Sequence, residues 1–209
     1  GSEWLVDTKP FGIIGTNSAI VEISGIPAMG LNYRLQELLG YPHGCIEQTT
    51  SKMFPQLFLG DFIDLNSYDK EQMERNIMGG LNKLRGFQLP NGGFSYWPGS
   101  SYADNWGTSY AGHMMLMAEK KGYQLPSRMK SQWISFQRSV ANSWSDHQFY
   151  GDQLNQAYRL YTLALAGQSE LGAMNRLSKL ASLNERTRYM LALAYAEMGQ
   201  ALMARTLIS

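Results

Sequence analysis

From Pro27 to the end of the chain, apolar residues recur at spacings of three and four. Breaks rich in glycine and proline cut that run into pieces of helix length. Leu31, Leu35, Leu38 and Leu39 make one stripe, Met53, Leu57 and Phe58 a second, and Leu154, Ala157, Tyr158, Tyr161 and Leu165 a later one. Gly40-Tyr41-Pro42-His43-Gly44, Leu89-Pro90-Asn91-Gly92-Gly93, and Gly122 with Pro126 are the breaks. Helices patterned this way must bury their stripes against one another, so an all-α body of packed hairpins is expected. Residues 11–24 differ: Ile13-Ile14 and Ala19-Ile20-Val21-Glu22-Ile23 are β-branched and bounded by glycines, which reads as one or two strands. Two such strands form no useful sheet alone. They either lean on the helical body or find their partners in an adjoining domain.

The last third carries a weak internal echo. Ala164-Leu165-Ala166-Gly167-Gln168 and Ala196-Glu197-Met198-Gly199-Gln200 each close an alanine-rich helix. Repetition at that period suits a solenoid or a closed ring of helical hairpins. The pattern stops at Ile208-Ser209 without a cap, which leads to the expectation of a piece of a longer chain, while Gly1-Ser2 reads as a cloning scar.

Charge narrows the function classes. Eighteen Lys and Arg stand against seventeen Asp and Glu, with no long run of either sign. A surface that tracks phosphates needs clustered cations, so nucleic acid is not an expected partner. No apolar run reaches the ~20 residues that span a bilayer. A single cysteine makes neither an internal disulfide nor a Cys-rich zinc site, and no metal or cofactor is expected.

The stretch 87–107 holds Phe87, Phe94, Tyr96, Trp97, Tyr102 and Trp106 among glycines and prolines. Loops of this length inside compact domains are usually functional or ordered by their own side chains. With two of the five tryptophans, it is expected to pack onto the helices.

The sharpest local feature is Tyr41-Pro42-His43-Gly44-Cys45-Ile46-Glu47-Gln48-Thr49-Thr50-Ser51. The lone cysteine follows Pro and Gly at what reads as a helix start, where unpaired N–H groups favour a thiolate. A free cysteine is also among the most buried residue types and serves as a small hydrophobe. The spacing adds a third possibility: Cys45 and Gln48 are three apart and share a helix face. A thiol held against a carboxamide can close an internal thioester with loss of ammonia, leaving a stored acyl electrophile. Cysteine nucleophilic catalysis with a histidine base competes with that reading, although no local protease signature surrounds Cys45.

Gly44-Cys45-Ile46-Glu47-Gln48 resembles the Gly-Cys-Gly-Glu-Gln thioester motif of the alpha-2-macroglobulin and complement family, and its flanks look like the family's bacterial branch. Asn91-Gly92-Gly93-Phe94 with Trp97-Pro98-Gly99, and Asn105-Trp106-Gly107-Thr108-Ser109-Tyr110-Ala111, are similar to the family's next two motifs in the same order. The resemblance covers roughly residues 25–209. Its departure is Ile46 at the middle glycine, which bacterial members also replace with larger residues.

The resemblance implies a thioester domain built as an α/α toroid over 26–209, lacking its final helices, with residues 3–25 a β segment of the adjoining domain. It implies a single-use protease trap rather than an enzyme: a cut elsewhere in the molecule exposes the thioester, and the acyl group of Gln48 passes from Cys45 to an amine of the attacking protease. Gly44 and Glu47 belong to the motif, and Tyr41, Trp97 and Trp106 are candidate shields against water. His147 lies 102 residues after Cys45, near where some complement relatives place an acyl-transfer histidine. Its surroundings match that motif poorly, so a surface role is the expectation, and His43 and His113 read as structural. Expected partners are proteases, through surface amines, and other domains of the full-length chain. The expected location is the periplasm or cell envelope, with a lipid anchor.

Two other readings stand beside this one. Glycine-glycine-phenylalanine turns also occur in the toroids of prenyltransferases and terpene cyclases, yet Asp61 and Asp64 form no aspartate-rich cluster. A passive helical-repeat binding module would make Cys45 a core residue. Met114, Met115 and Met117 read as helix core filler.

Overall fold

A computed structural model of the chain describes residues 9, 12–13, 15–16, 38–146 and 152–208. The chain divides into two compact units, Gly1–Gln36 and Glu37–Ser209, and the second carries Cys45 and Gln48. The expected strands within 11–24, the boundary at residue 26, the stripe through Leu31 and Leu35, and His147 lie outside the described residues.

Eight α-helices are found among the described residues. They are α1 (Ile46–Gln56), α2 (Ser67–Leu84), α3 (Asn105–Lys120), α4 (Met129–Ser143), α5 (Asp152–Leu165), α6 (Leu171–Ser178), α7 (Glu185–Glu197) and α8 (Ala201–Ile208). A 3-10 turn, Leu59–Asp61, follows α1. Helices α1, α3, α5 and α7 pack each against the next, while α2, α4 and α6 lie across the joints between them. This alternation of inner and outer helices is the α/α toroid pattern.

Burial explains the two layers. Helix α3 hides Gly107, Thr108, Ser109, Ala111, Gly112, Met114, Met115, Leu116 and Ala118, so it is covered on most sides and lies inside. Helix α4 fully hides only Met129, Trp133, Gln137 and Ala141, a strict i, i+4 stripe flanked by the half-buried Ile134 and Phe136, with the opposite face in solvent. Small residues let helices approach closely: a Cβ on Gly112 of inner α3 would overlap the Trp133 indole of outer α4, and one on Gly107 would meet Ile46 Cγ2 of the neighbouring inner helix α1 at 2.5 Å.

The helix ends are also set locally. Asn66, Asp104 and Asn184 cap α2, α3 and α7 by accepting the backbone N–H groups of Asp69, Gly107 and Thr187, which satisfies donors that the helix itself leaves unpaired. The echo seen in the sequence is a repeated C-terminal cap. Gln168 N–H donates to Leu163 O and Gly167 N–H to Ala164 O; Gln200 N–H donates to Tyr195 O and Gly199 N–H to Ala196 O. Helix α3 ends the same way, with Tyr123 on Ala118 and Gly122 on Glu119. The central residues Gly122, Gly167 and Gly199 all have positive φ, as this 6→1 and 5→2 closure requires.

Two apolar cores result. The first joins α1, α2, α3, Phe87, Phe94 and the start of α4 through Trp133. The second runs from Ala141 at the end of α4 through α5, α6 and α7 to Ala204. Between them Arg159 is buried, 1% exposed, and its guanidinium donates to Gln137 Oε1, Gln156 Oε1 and Asn105 Oδ1. No carboxylate is among these three partners, and burial pulls its pKa down to about 10 against the opposing pull of Asp152.

The loop expected over 87–107 ends at Asp104, since Asn105–Gly107 already belong to α3; it packs onto the helices as expected, but through its phenylalanines. Phe87 and Phe94 are fully buried, whereas Trp97 is 53% exposed. Single antiparallel bridges, Gln88 with Phe94 and Ser95 with Ala103, fold the loop on itself.

Candidate functional site

Helix α1 begins at the breaking motif. Gly44 has φ +86, a conformation only glycine adopts without strain. Any Cβ here would also overlap Gln48 Oε1, so a bare backbone at this position is what lets the Gln48 side chain fold back. Cys45 is the N-cap. Its Sγ accepts from Gln48 N–H at 3.5 Å, and Gln48 Oε1 accepts from Cys45 N–H at 3.1 Å. This is the reciprocal geometry of a capping box, with sulfur in place of the usual hydroxyl.

The two side chains differ in exposure. Cys45 is 2% exposed, while Gln48 is exposed and borders an open cleft of about 480 Å³ with Tyr41, His43, Gly44, Ser51 and Lys52. The sulfur therefore lies beneath the helix end, and the carboxamide can be approached from outside. Glu47, also exposed, sits in the first turn, where the helix dipole favours an anion.

The chain entering this turn is held by side chains of α1 and α2. Leu39 O accepts from Asn76 Nδ2 at 2.7 Å and from Gln72 Nε2 at 3.2 Å; Gly40 O accepts from Gln56 Nε2 at 3.1 Å, and Pro42 O from Lys83 Nζ at 3.1 Å. Asn76 also donates to Gln56 Oε1 at 3.1 Å. Gln56 and Asn76 are buried, where amides are costly unless paired. The sequence signal was present: Asn76 sits on the same inward stripe as Ile77, Gly80, Leu81 and Leu84, a polar residue at an apolar position.

The aromatic loop reaches the same turn from the other side. Ile46 N–H donates to Tyr96 O at 3.0 Å, and Tyr96 Oη donates to Glu47 Oε2 at 3.5 Å. The neighbouring Cys45 side chain, then burial, Glu47 and Asp104, push the Tyr96 pKa up to about 12.

Tyr41 stands over the cleft, 46% exposed, with its ring tilted against His43 at a 5.0 Å centroid distance. It lies so close to α2 that a Cβ on Gly79 would be 3.0 Å from the Tyr41 ring. Trp97 touches Tyr96 edge-on at 5.8 Å. Trp106 packs on Tyr158 at 5.0 Å and Tyr110 at 6.4 Å, and Ser51 links Tyr110 to the cleft through a 3.2 Å hydroxyl contact. His113 is packed among Phe54, Tyr158 and Tyr161, with Nδ1 3.1 Å from Tyr158 Oη. Burial, helped by Lys120, lowers its pKa to about 4, so it is neutral near pH 7. Among the described residues no three His, Cys, Asp or Glu side chains converge on a point where a metal could sit.

The family model described as the A-macroglobulin TED domain matches residues 18–143. The chain belongs to the A-macroglobulin TED domain family. Curated relatives include the alpha-2-macroglobulin of Xylella fastidiosa, 28% identical over 179 residues, which are 80% of this chain and 11% of the relative. The alpha-2-macroglobulin of Escherichia coli is 29% identical over 109 residues, 50% of this chain and 7% of the relative. The chain thus spans about a tenth of the curated relatives it matches.

Solved structures agree on the fold. Salmonella alpha-2-macroglobulin reacted with methylamine superposes with a TM-score of 0.74 at 25% identity, covering 88% of this chain and 13% of that one. The native E. coli protein gives 0.71 at 23% identity, covering 85% of this chain and 12% of that one. The fold is the α/α toroid of this family's TED domain, and no helix of the described residues is long and apolar enough to cross a membrane.

Proposed function

We propose that Cys45 and Gln48 form an internal thioester, and that this domain is the covalent arm of a bacterial alpha-2-macroglobulin that traps proteases. The observation that carries the reading is the reciprocal pairing of Cys45 and Gln48 across the first turn of α1, with sulfur buried and acyl carbon facing a cleft. Ring closure joins Sγ to Gln48 Cδ and expels the side-chain nitrogen as ammonia. An arriving lysine amine then adds to Cδ, the C–S bond breaks with its electron pair on sulfur, and the amine proton ends on sulfur or in solvent. Negative charge developing on Oε1 meets the Cys45 N–H that already donates to it, a donor placed where the oxyanion forms.

One electrophile per molecule means one capture, so the domain acts as a single-use inhibitor. Tyr41, beside Gly44 and Gln48 in the cleft lining, is the shield best placed to slow hydrolysis. Similar proteins speak for such chemistry: a Salmonella relative reacted with methylamine, and an E. coli relative was activated by porcine elastase. A bacterial envelope location with a lipid anchor, further domains in the same chain, and a β segment over residues 3–25 belong to the same proposal.

Intact mass of the full-length protein, with and without methylamine, tests it. The expected result is a mass short by one ammonia, then a methylamine adduct with release of one thiol, both absent in Cys45→Ala. An unmodified mass and no adduct in the folded protein would overturn the reading.

A further inference from the structure

Helix α2 carries a glycine that the helix by itself would not favour. Gly79 lies well inside α2 with no positive φ to require it, and glycine there is less stable than alanine. What it supplies is room. A Cβ on Gly79 would stand 3.0 Å from Tyr41 Cε2, 3.2 Å from Tyr41 Oη and 3.5 Å from Tyr41 Cζ. The end of the Tyr41 ring therefore occupies the space that a side chain would take.

The neighbours of Gly79 on the same face hold the rest of that segment. Gln72, Asn76, Gly79 and Lys83 follow one another at intervals of four, three and four residues, which places them on one stripe of α2. Gln72 and Asn76 donate to Leu39 O, and Lys83 Nζ donates to Pro42 O at 3.1 Å. Proline has no N–H to offer and fixes its own φ, so the Pro42 carbonyl is the backbone group by which that residue can be held. Tyr41 thus sits between two gripped carbonyls with its ring against bare backbone. On its other side the residue lines the cleft with Gly44 and Gln48.

Resting on the thioester reading above, with Tyr41 as its shield, we propose that Gly79 and Lys83 are positioning residues that hold Tyr41 over the Cys45–Gln48 pair and so set how long the thioester survives in water. With the arm displaced, water adds to Gln48 Cδ and the C–S bond breaks with its electron pair on Sγ. The sulfur takes up a proton from that water, and the side chain of residue 48 is left as a carboxylic acid. Gly79 acts through the space it leaves for the ring, and Lys83 through the carbonyl beside it. Neither touches the reacting atoms.

The test follows the intact mass of the full-length protein in buffer without methylamine, where hydrolysis adds one water to the ammonia-deficient species. Gly79→Leu puts a side chain in the place of the ring and is expected to speed hydrolysis about tenfold, because overpacking drives a neighbour from its position. Lys83→Met keeps an apolar stem, loses the donor and should speed hydrolysis about fivefold, in keeping with one half-buried hydrogen bond. In a Tyr41→Ala background neither substitution should add more than about twofold, since a positioning residue acts only through the group it positions. Parent-like rates for both, or the same acceleration with and without Tyr41, would overturn the proposal and leave the thioester reading standing. A parent-like rate for Tyr41→Ala itself would remove the shield and its positioning residues together, again without touching the thioester. If Gly79→Leu forms no thioester, Gly79→Ala decides: the urea midpoint should hold, because alanine favours a helix, while hydrolysis quickens about threefold. An unchanged rate there would overturn the proposal. A parent protein without the ammonia deficit would remove the thioester reading and this one with it.

Discussion

The two cores hold their helices by different means. Around the second, helices α5, α6, α7 and α8 follow each other with short connections, alanines meet at the contacts, and glycine caps close α5 and α7. Around the first, connections are long, the inward faces of α1 and α2 carry Gln56 and Asn76, and a loop of twenty residues fills space that a helix would take elsewhere. The second half is a regular hairpin stack whose stability comes from apolar burial. The first half gives up that regularity to fix a turn: four side-chain donors grip the carbonyls of Leu39, Gly40 and Pro42. Position, more than stability, is what those polar contacts supply.

Truncating one large side chain in each core gives the largest effect. Trp133 is fully buried, fills the space left by Gly112, and donates Nε1–H to Thr108 O at 2.9 Å. Trp133→Ala should cost about 3–5 kcal/mol and Leu191→Ala in the second core about 2–5 kcal/mol in urea unfolding. Only the first should also expose Cys45, read as faster alkylation in native buffer. Equal acceleration by both would mean the two cores unfold as one unit.

Acid sharpens the comparison at the rim where the cores meet. His113 bridges Phe54 of α1 to Tyr158 and Tyr161 of α5. Its pKa falls from an ordinary 6.5 to about 4 in the fold, so the unfolded chain takes up a proton that the folded chain refuses. The stability this group allows is complete above pH 6.5 and is lost as pH falls from 6.5 through 4, by at most about 3 kcal/mol. His113→Phe should flatten that part of the stability-versus-pH curve. An unchanged slope would assign the acid sensitivity to other groups.

The smallest expected effect is at a cap. Gly199 has φ +75 with open space around it, so Gly199→Ala meets no neighbour and suffers only the backbone strain of about 1 kcal/mol. Hydrogen exchange should rise at the α7–α8 junction and leave α1 untouched.

Much of the toroid was legible because its signals are local. Stripe spacing, the breaks at 40–44 and 89–93, and the paired Ala-to-Gln echoes each act within a helical turn or two, and the echo proved to be a helix cap repeated at the ends of inner helices. The pairing of Cys45 with Gln48 was legible for the same reason, since three residues on a helix define a distance. The shielding and anchoring groups were less so. Trp97 and Trp106 drew attention as large aromatics, yet Trp97 is turned largely to solvent and Trp106 packs on Tyr158 and Tyr110. It is Tyr96, one residue from Trp97, whose carbonyl and hydroxyl reach the Cys45 turn.

The sequence by itself determined which residues are helical, where helices stop, and which cysteine and glutamine face each other, because all of these rest on interactions within about four residues. The tertiary structure alone decided that Arg159 lies between the cores with its guanidinium on three amide oxygens, that Asn76 and Lys83 of α2 grip the Cys45 turn, and that Tyr96 meets Ile46 and Glu47 from another element. The bonds from Asn76 to Leu39, from Lys83 to Pro42 and from Arg159 to Asn105 join residues 37 to 54 positions apart. Whether such a pair meets depends on how inner and outer helices pack, which no local pattern of side chains encodes.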